Sequence, residues 1–397
     1  MDLKQELQLR TVFLVTAGSH AYGMSTESSD YDYRGIFIPP LSSYIGLLDK
    51  IEQVVDGEKS HHVYKYYNVG LLKTDPRVEG ADPDICPDMQ VMEISKFVRL
   101  AIQNNPSVLE TLFIDNPVIK NPIIQELIDN RDKLLSKACK ARFCGYALSQ
   151  LKRIKNHKRW LDNPITHKPE RVEYGLPEHS LLSPDQIGAA TALIQKELDE
   201  FMIDQTHLPE DTKIELSAGM SKMMRAVWSA LHSKIPYPVG NGQLFETTDD
   251  ALFFGAAIDQ EFSENFLDVL LREKRYRSAK SDWDRYQNWL KTRNPKRAEI
   301  EKKFGFDLKH ACHLVRLLKC AREILEKGTL TVLRPDVDEL IAIRNGAWTY
   351  DQIIEFAEKE DTDLDVLVKK CNLPKTPDVK FFDSLVRNII LEFNSKM

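Results

Sequence analysis

Two groups of residues near the start of the chain could do chemistry together. Gly18-Ser19 is followed, ten residues later, by Asp30-Tyr31-Asp32-Tyr33-Arg34-Gly35. Asp30 and Asp32 are two positions apart, so on an extended strand both carboxylates share one face. Carboxylates so placed repel each other unless a cation joins them, and hard oxygen ligands at this spacing suit Mg²⁺. A Gly-Ser turn opening a helix offers backbone N–H groups, a hydroxyl and the positive end of a helix dipole, which suit a phosphate. A phosphate cradle beside paired metal ligands is the minimum equipment for phosphoryl or nucleotidyl transfer. Either piece alone reads as a surface turn; their combination carries the chemical reading.

The elements that must position these residues follow from periodicity. Thr11-Val12-Phe13-Leu14-Val15-Thr16 is apolar and β-branched and predicts a buried strand ending at the Gly-Ser turn. His20-Ala21-Tyr22-Gly23 opens a short helix, and a second strand runs from Asp30 through Ile38 to the breakers Pro39-Pro40. Arg34 either serves the site or pairs with Asp30 or Asp32. Further strands are expected over 51–55 and 88–93, the second running into a helix over 94–101. His61-His62 sit next to each other on an extended segment and face opposite ways, which disfavours a shared ion.

Beyond about residue 120 the pattern is mostly helical. A helix over 138–161 carries Lys152, Arg153 and Lys155 with Trp160 nearby, either a solvated face or a surface for an RNA backbone. On a helix from Phe306, Lys309, His313 and Arg316 fall at i, i+4 and i+7 as one polar stripe. That stripe is open to two readings: a triphosphate contact, or a buried histidine bonded to a backbone carbonyl with exposed Lys and Arg beside it.

Gly18-Ser19…Asp30-x-Asp32 resembles the signature of the DNA polymerase β-like nucleotidyltransferase superfamily. The fuller string Gly-Ser-His-Ala-Tyr-Gly…Ser-Asp-Tyr-Asp-Tyr-Arg-Gly is similar to its RNA-repair-pathway branch, as are Tyr-Arg-x-Ala-Lys from Tyr276 and Asp-x-Lys-His-Ala-x-His-Leu-x-Arg-Leu from Asp307. The resemblance implies an α+β fold, with a nucleotidyltransferase domain (mixed sheet, flanking helices) over 1–118. A mainly α-helical domain over 119–397 would close over the nucleotide. It implies two Mg²⁺ ions on Asp30 and Asp32, with a third carboxylate, Asp88 rather than its rival Glu93, completing the metal on the nucleophile's side. Gly18 and Ser19 would hold phosphates of a nucleoside triphosphate, with Arg34, Lys309, His313 and Arg316 stabilising charge. The expected acceptor is the hydroxyl of an RNA. Nucleotidylation of a protein or small molecule, or a non-catalytic nucleotide- or RNA-binding module, stand as alternatives.

Composition excludes other classes. With 397 residues, 42% of them hydrophobic and 29% charged, the chain has the make-up of a globular protein with room for two domains. A net charge of −6 argues against a surface coated in basic residues. Six cysteines without a Cys-x-x-Cys, a polar start and no long apolar run predict a protein of a reducing cytoplasm, with no disulfide and no membrane partner.

Overall fold

The computed structural model describes residues 9–26, 29, 31–46, 52–56, 88–180, 182–201 and 264–397. Strand β1 (Thr11–Ala17) is buried from Thr11 to Thr16, as its unbroken apolar run requires. Gly18, at φ +65°, then turns the chain into the single-turn helix α1 (Gly18–Ala21). Strand β2 (Asp32–Phe37) returns antiparallel to β1, with Asp32 opposite Ala17 and Gly35 opposite Leu14. The strand expected from Asp30 is thus described from Asp32; Asp30 itself, His61-His62 and Cys86 lie outside the described residues. Pro40 precedes α2 (Leu41–Ile45). Strands β3 (Gln53–Asp56) and β4 (Asp88–Glu93) follow.

Strand β4 lies parallel to β2, placing Asp88 beside Asp32 and Glu93 beside Phe37. Helices α3 (Ile94–Ile102) and α4 (Pro106–Phe113) come next, and the short edge strand β5 (Ile119–Lys120) completes a five-stranded mixed sheet of order β3-β4-β2-β1-β5. Helix α3 buries Ile94, Phe97, Val98 and Ala101, the i, i+3, i+4, i+7 pattern of one helical face. Pro106 fits the first turn of α4, where its missing N–H costs nothing, and the Asn105 side chain caps that turn.

The rest is helical: α5 (Gln125–Asp129), α6 (Ala138–Asp162), α7 (Pro184–Phe201), α8 (Glu264–Thr292), α9 (Pro295–Phe304), α10 (Leu308–Lys327), α11 (Val337–Arg344), α12 (Tyr350–Lys370) and α13 (Val379–Lys396). Helix α10 is the hub. It is capped by the Asp307 side chain and packs against α6, α11 and α12. One apolar core runs from Val12 and Phe13 of β1 through Phe97 and Leu109 to Leu314, Phe382 and Phe393.

The chain forms two compact units, residues 1–162 with 295–397, and residues 163–294. The first holds the sheet together with α10 to α13, so segments from both sides of the expected division at residue 118 share it. In the second, Arg171 bonds the fully buried carboxylate of Glu273 on α8, which also accepts from Ser180. Burial raises the pKa of Glu273, but these donors outweigh it and hold the carboxyl below its usual range. Among the described residues no helix is long and apolar enough to cross a membrane, and the five cysteines are free thiols.

Between α4 and α10, Arg316 (1% exposed) pairs with Glu110 (4% exposed). Removing one partner strands a charge in the core, whereas replacing both with apolar groups does not. Arg316→Met and Glu110→Leu are therefore each expected to lower unfolding free energy by about 3–5 kcal/mol. The double replacement should recover a large part of that loss. Urea denaturation of the three variants reads both results, and additive losses in the double variant would contradict the pairing.

Candidate active site

The site is built where β1 ends and β2 and β4 begin. A parallel register sets Asp32 and Asp88 side by side, about 4.8 Å apart across the strands and on the same face. Gly18 lies against Asp32 from the other side: a Cβ placed on it would fall 2.2 Å from Asp32 Oδ2, and its φ of +65° disfavours any side chain. The Asp32 carboxylate thus occupies the space that the missing side chain leaves, tight against the Gly-Ser turn. No side chain caps the start of α1.

Arg34, two residues along β2 from Asp32, bonds Asp88 rather than either carboxylate of its own strand segment that is described. Its guanidinium donates to the Asp88 backbone oxygen and to Asp88 Oδ2, each at 3.0 Å, and to the Tyr33 carbonyl at 2.9 Å. A residue that only donates hydrogen bonds therefore holds the exposed Asp88 beside Asp32.

Glu93 has other work. It lies five residues along β4 from Asp88, about 16 Å at the usual strand rise. Its side chain caps α3 by accepting from the N–H of Ser95 at 2.6 Å and of Lys96 at 2.9 Å, and it accepts the Tyr44 hydroxyl at 2.8 Å. The pair Asp32–Asp88 is the one that register brings together.

The stripe read on α10 is divided by burial: Lys309 is exposed, His313 half-buried and Arg316 in the core. Besides Glu110, Arg316 lies 3.7 Å over the ring of Tyr22 and reaches His313 Nδ1 at 3.1 Å. Because guanidinium cannot accept, Nδ1 accepts and the imidazole is neutral. Tyr22 in turn donates its hydroxyl to Glu110 at 2.7 Å. The next residues are held from the same side: the Arg334 N–H donates to the Tyr22 carbonyl at 3.4 Å, and Arg344 to the Met24 carbonyl at 2.9 Å. The turn following Gly18-Ser19 is thus seated on residues from α4, α10, α11 and the loop before α11. Tyr22 and Glu110 were not singled out by sequence reasoning. The usable signal was Tyr22 within His-Ala-Tyr-Gly, but its partners Glu110, Arg316 and Arg334 all lie on distant segments of the chain.

A cavity of about 230 Å³ opens beside α1, lined among others by Thr16, His20, Tyr31, Phe113, Asn116 and Leu333. His20 and Tyr31 stack at 4.0 Å with nearly parallel rings, and among the described residues the buried Thr16 hydroxyl has no hydrogen-bond partner. On α6, Lys152, Arg153 and Lys155 are exposed while Trp160 is buried. Lys155 borders a groove shared with Asp351, Glu355 and Glu358 of α12, so acidic groups rim that end of the basic surface.

Residues 1–162 match the family model described as RlaP, RNA repair pathway DNA polymerase beta family. No curated protein and no solved structure matches the chain. This part of the chain is thus similar to that branch's polymerase-β-like domain, and the mixed sheet with its helices has the fold the resemblance implied.

His313 ties this scaffold to pH. Burial, then the charge of Arg316, push its pKa down from 6.5 to about 3. Between those values the unfolded chain binds the extra proton. Stability is therefore full above pH 6.5 and declines as pH falls toward 3. Urea midpoints measured across that range are expected to fall more steeply for the natural chain than for His313→Asn, by about one proton's worth of slope.

Proposed function

We propose that this chain, whose first 162 residues are similar to the polymerase-β-like domain of the RNA repair pathway family, transfers a nucleoside monophosphate to RNA. An acceptor hydroxyl would attack the α-phosphorus of a nucleoside triphosphate. As the new P–O bond forms, the bond to the bridging oxygen breaks and pyrophosphate leaves; the hydroxyl proton passes to a carboxylate, for which Asp88 is assigned. The observation that carries this reading is the alignment of Asp32 with Asp88 against Gly18.

The described donors fit a divalent cation, since two carboxylates meet in register on one face beside a glycine whose missing Cβ leaves room for one of them. Asp32 and Asp88, with Asp30 from outside the described residues, would hold Mg²⁺, two ions being assigned. Bound there, the metal would neutralise phosphate charge and activate the attacking oxygen. Arg34 is assigned to orient Asp88, and the backbone and hydroxyl of Gly18-Ser19 to bind the terminal phosphates. On α10, the exposed Lys309 is assigned to the phosphates, while His313 and Arg316 are assigned to seating the Gly-Ser turn through Tyr22. The cavity beside α1 would take the base, with the His20–Tyr31 stack as one wall. Lys152 and Arg153 would meet the RNA backbone.

The deciding experiment offers Mg²⁺ and each α-phosphate-labelled nucleoside triphosphate together with RNA, protein or small metabolites in separate reactions. Label is expected in RNA, and is expected to be lost with Asp32→Asn or Asp88→Asn. Glu93→Gln should retain transfer while losing about 1 kcal/mol of stability through its helix cap. Label in protein or metabolites would reassign the acceptor. Nucleotide binding without transfer in any fraction would make the domain a binding module.

Gly18→Ala tests the geometry by itself. The new methyl must displace the Asp32 carboxylate, so turnover is expected to fall about 100-fold. The left-handed backbone adds roughly 1–2 kcal/mol of destabilisation, which urea denaturation separates from the loss of turnover.

A further inference from the structure

Away from that site, three metal-ligating side chains come together where α6 meets the start of α10, with a fourth acidic group from α9 beside one of them. His157 comes from α6, Glu301 from α9, and Asp307 and His310 from the capped start of α10. One ligand atom each of His157, Asp307 and His310 lies within 4.8 Å of the other two. Glu301 Oε1 is 3.5 Å from His157 Nδ1, and Asp307 Oδ2 is 3.6 Å from His310 Nε2. Asp307 and Glu301 are each 3% exposed, and both imidazoles are largely buried.

These separations are long for hydrogen bonds. That between Asp307 and His310 is close to the spacing of two atoms bound to one tetrahedral ion, roughly 3.3–3.4 Å for bonds of 2.0–2.1 Å. Two imidazoles and one carboxylate are a donor set for a borderline transition ion with an open position rather than for Mg²⁺. The other oxygen of Asp307 accepts the His310 N–H at 3.0 Å, which anchors that carboxylate while Oδ2 faces the cluster. Trp160 stacks over His157 at 5.7 Å and shields it from solvent. Arg153 and Arg297 also carry positive charge toward His310, and the two carboxylates offset them before any ion binds.

We propose that His157, Asp307 and His310 bind one divalent transition-metal ion, of which Zn²⁺ is the type, and that this ion pins α6 to the start of α10, with Glu301 of α9 orienting His157 as an outer partner. The site is independent of the proposed transferase centre in both residues and metal type.

The test uses the full chain, stripped with a chelator and dialysed against Zn²⁺, with metal content measured per chain. One tightly held Zn²⁺ and a raised melting temperature are expected. Both should persist in Asp32→Asn, which removes a ligand of the other centre. His157→Gln and His310→Gln should each weaken binding by more than the roughly 10- to 100-fold that loss of an outer-shell partner costs. Co²⁺ supplies a readout that needs no variant: the natural chain should show the intense visible bands of a tetrahedral site, and Co²⁺ should quench the fluorescence of Trp160. No tight Zn²⁺ together with no tetrahedral Co²⁺ spectrum would overturn the proposal. So would Zn²⁺ binding unchanged in both histidine variants.

Discussion

The contact on which the rest depends is the buried group of Arg316, Glu110 and Tyr22. An ionised guanidinium and carboxylate in an apolar core are costly to bring out of water, and their mutual attraction holds only in one geometry. The ring of Tyr22 covers the guanidinium and its hydroxyl bonds the carboxylate, so the three groups lock as a unit. Since Tyr22 follows α1 directly, this unit decides where the Gly-Ser turn sits relative to the sheet. The arrangement trades stability for position. An apolar core at the same place would serve packing but could not specify the placement of a turn so closely.

From that anchor, strand pairing brings the remaining groups together. β1 delivers Gly18 to the start of β2, and the parallel partner β4 delivers Asp88 to the same level. A slip of one residue in either pairing would turn one carboxylate to the opposite face of the sheet. Two features oppose that slip. The Asp32 carboxylate fills the space beside Gly18, and Arg34 clamps Asp88 by both its backbone and its side chain. At the far end of β4, Glu93 is committed to the start of α3, which ties the strand's length to the helix that packs beneath the sheet.

The helical segment over 295–397 belongs to this construction, although the family match ends at residue 162. α10 reaches the turn after α1 through Arg316, and α11 reaches it through Arg344. At its start, α10 meets α6 and α9 in the cluster of histidines and carboxylates. One helix thus joins the scaffold of the polymerase-β-like domain to a second group of chemically capable side chains.

By itself the sequence determined the local elements. The unbroken apolar run of β1, the breakers at Gly18 and Pro39-Pro40, and the apolar face of α3 depend on nearest neighbours and periodicity, and the strand and helix over 88–102 were legible for that reason. The motif residues and the branch they resemble were legible too, because Gly18-Ser19 and Asp32 are close along the chain. Tertiary structure decided the rest. Asp88 and Glu93 are equally acidic on one short strand, and only the register against β2 separates a carboxylate beside Asp32 from a helix cap. Lys309, His313 and Arg316 share a helical stripe in sequence, but helix spacing is blind to what packs against it, and the buried Glu110 and Tyr22 drew Arg316 inward. His157 and Asp307 are 150 residues apart, and no local pattern links them; packing of α6 on α10 does. Contacts between distant segments follow from the shared core, and a single chain read in order carries no direct signal for them.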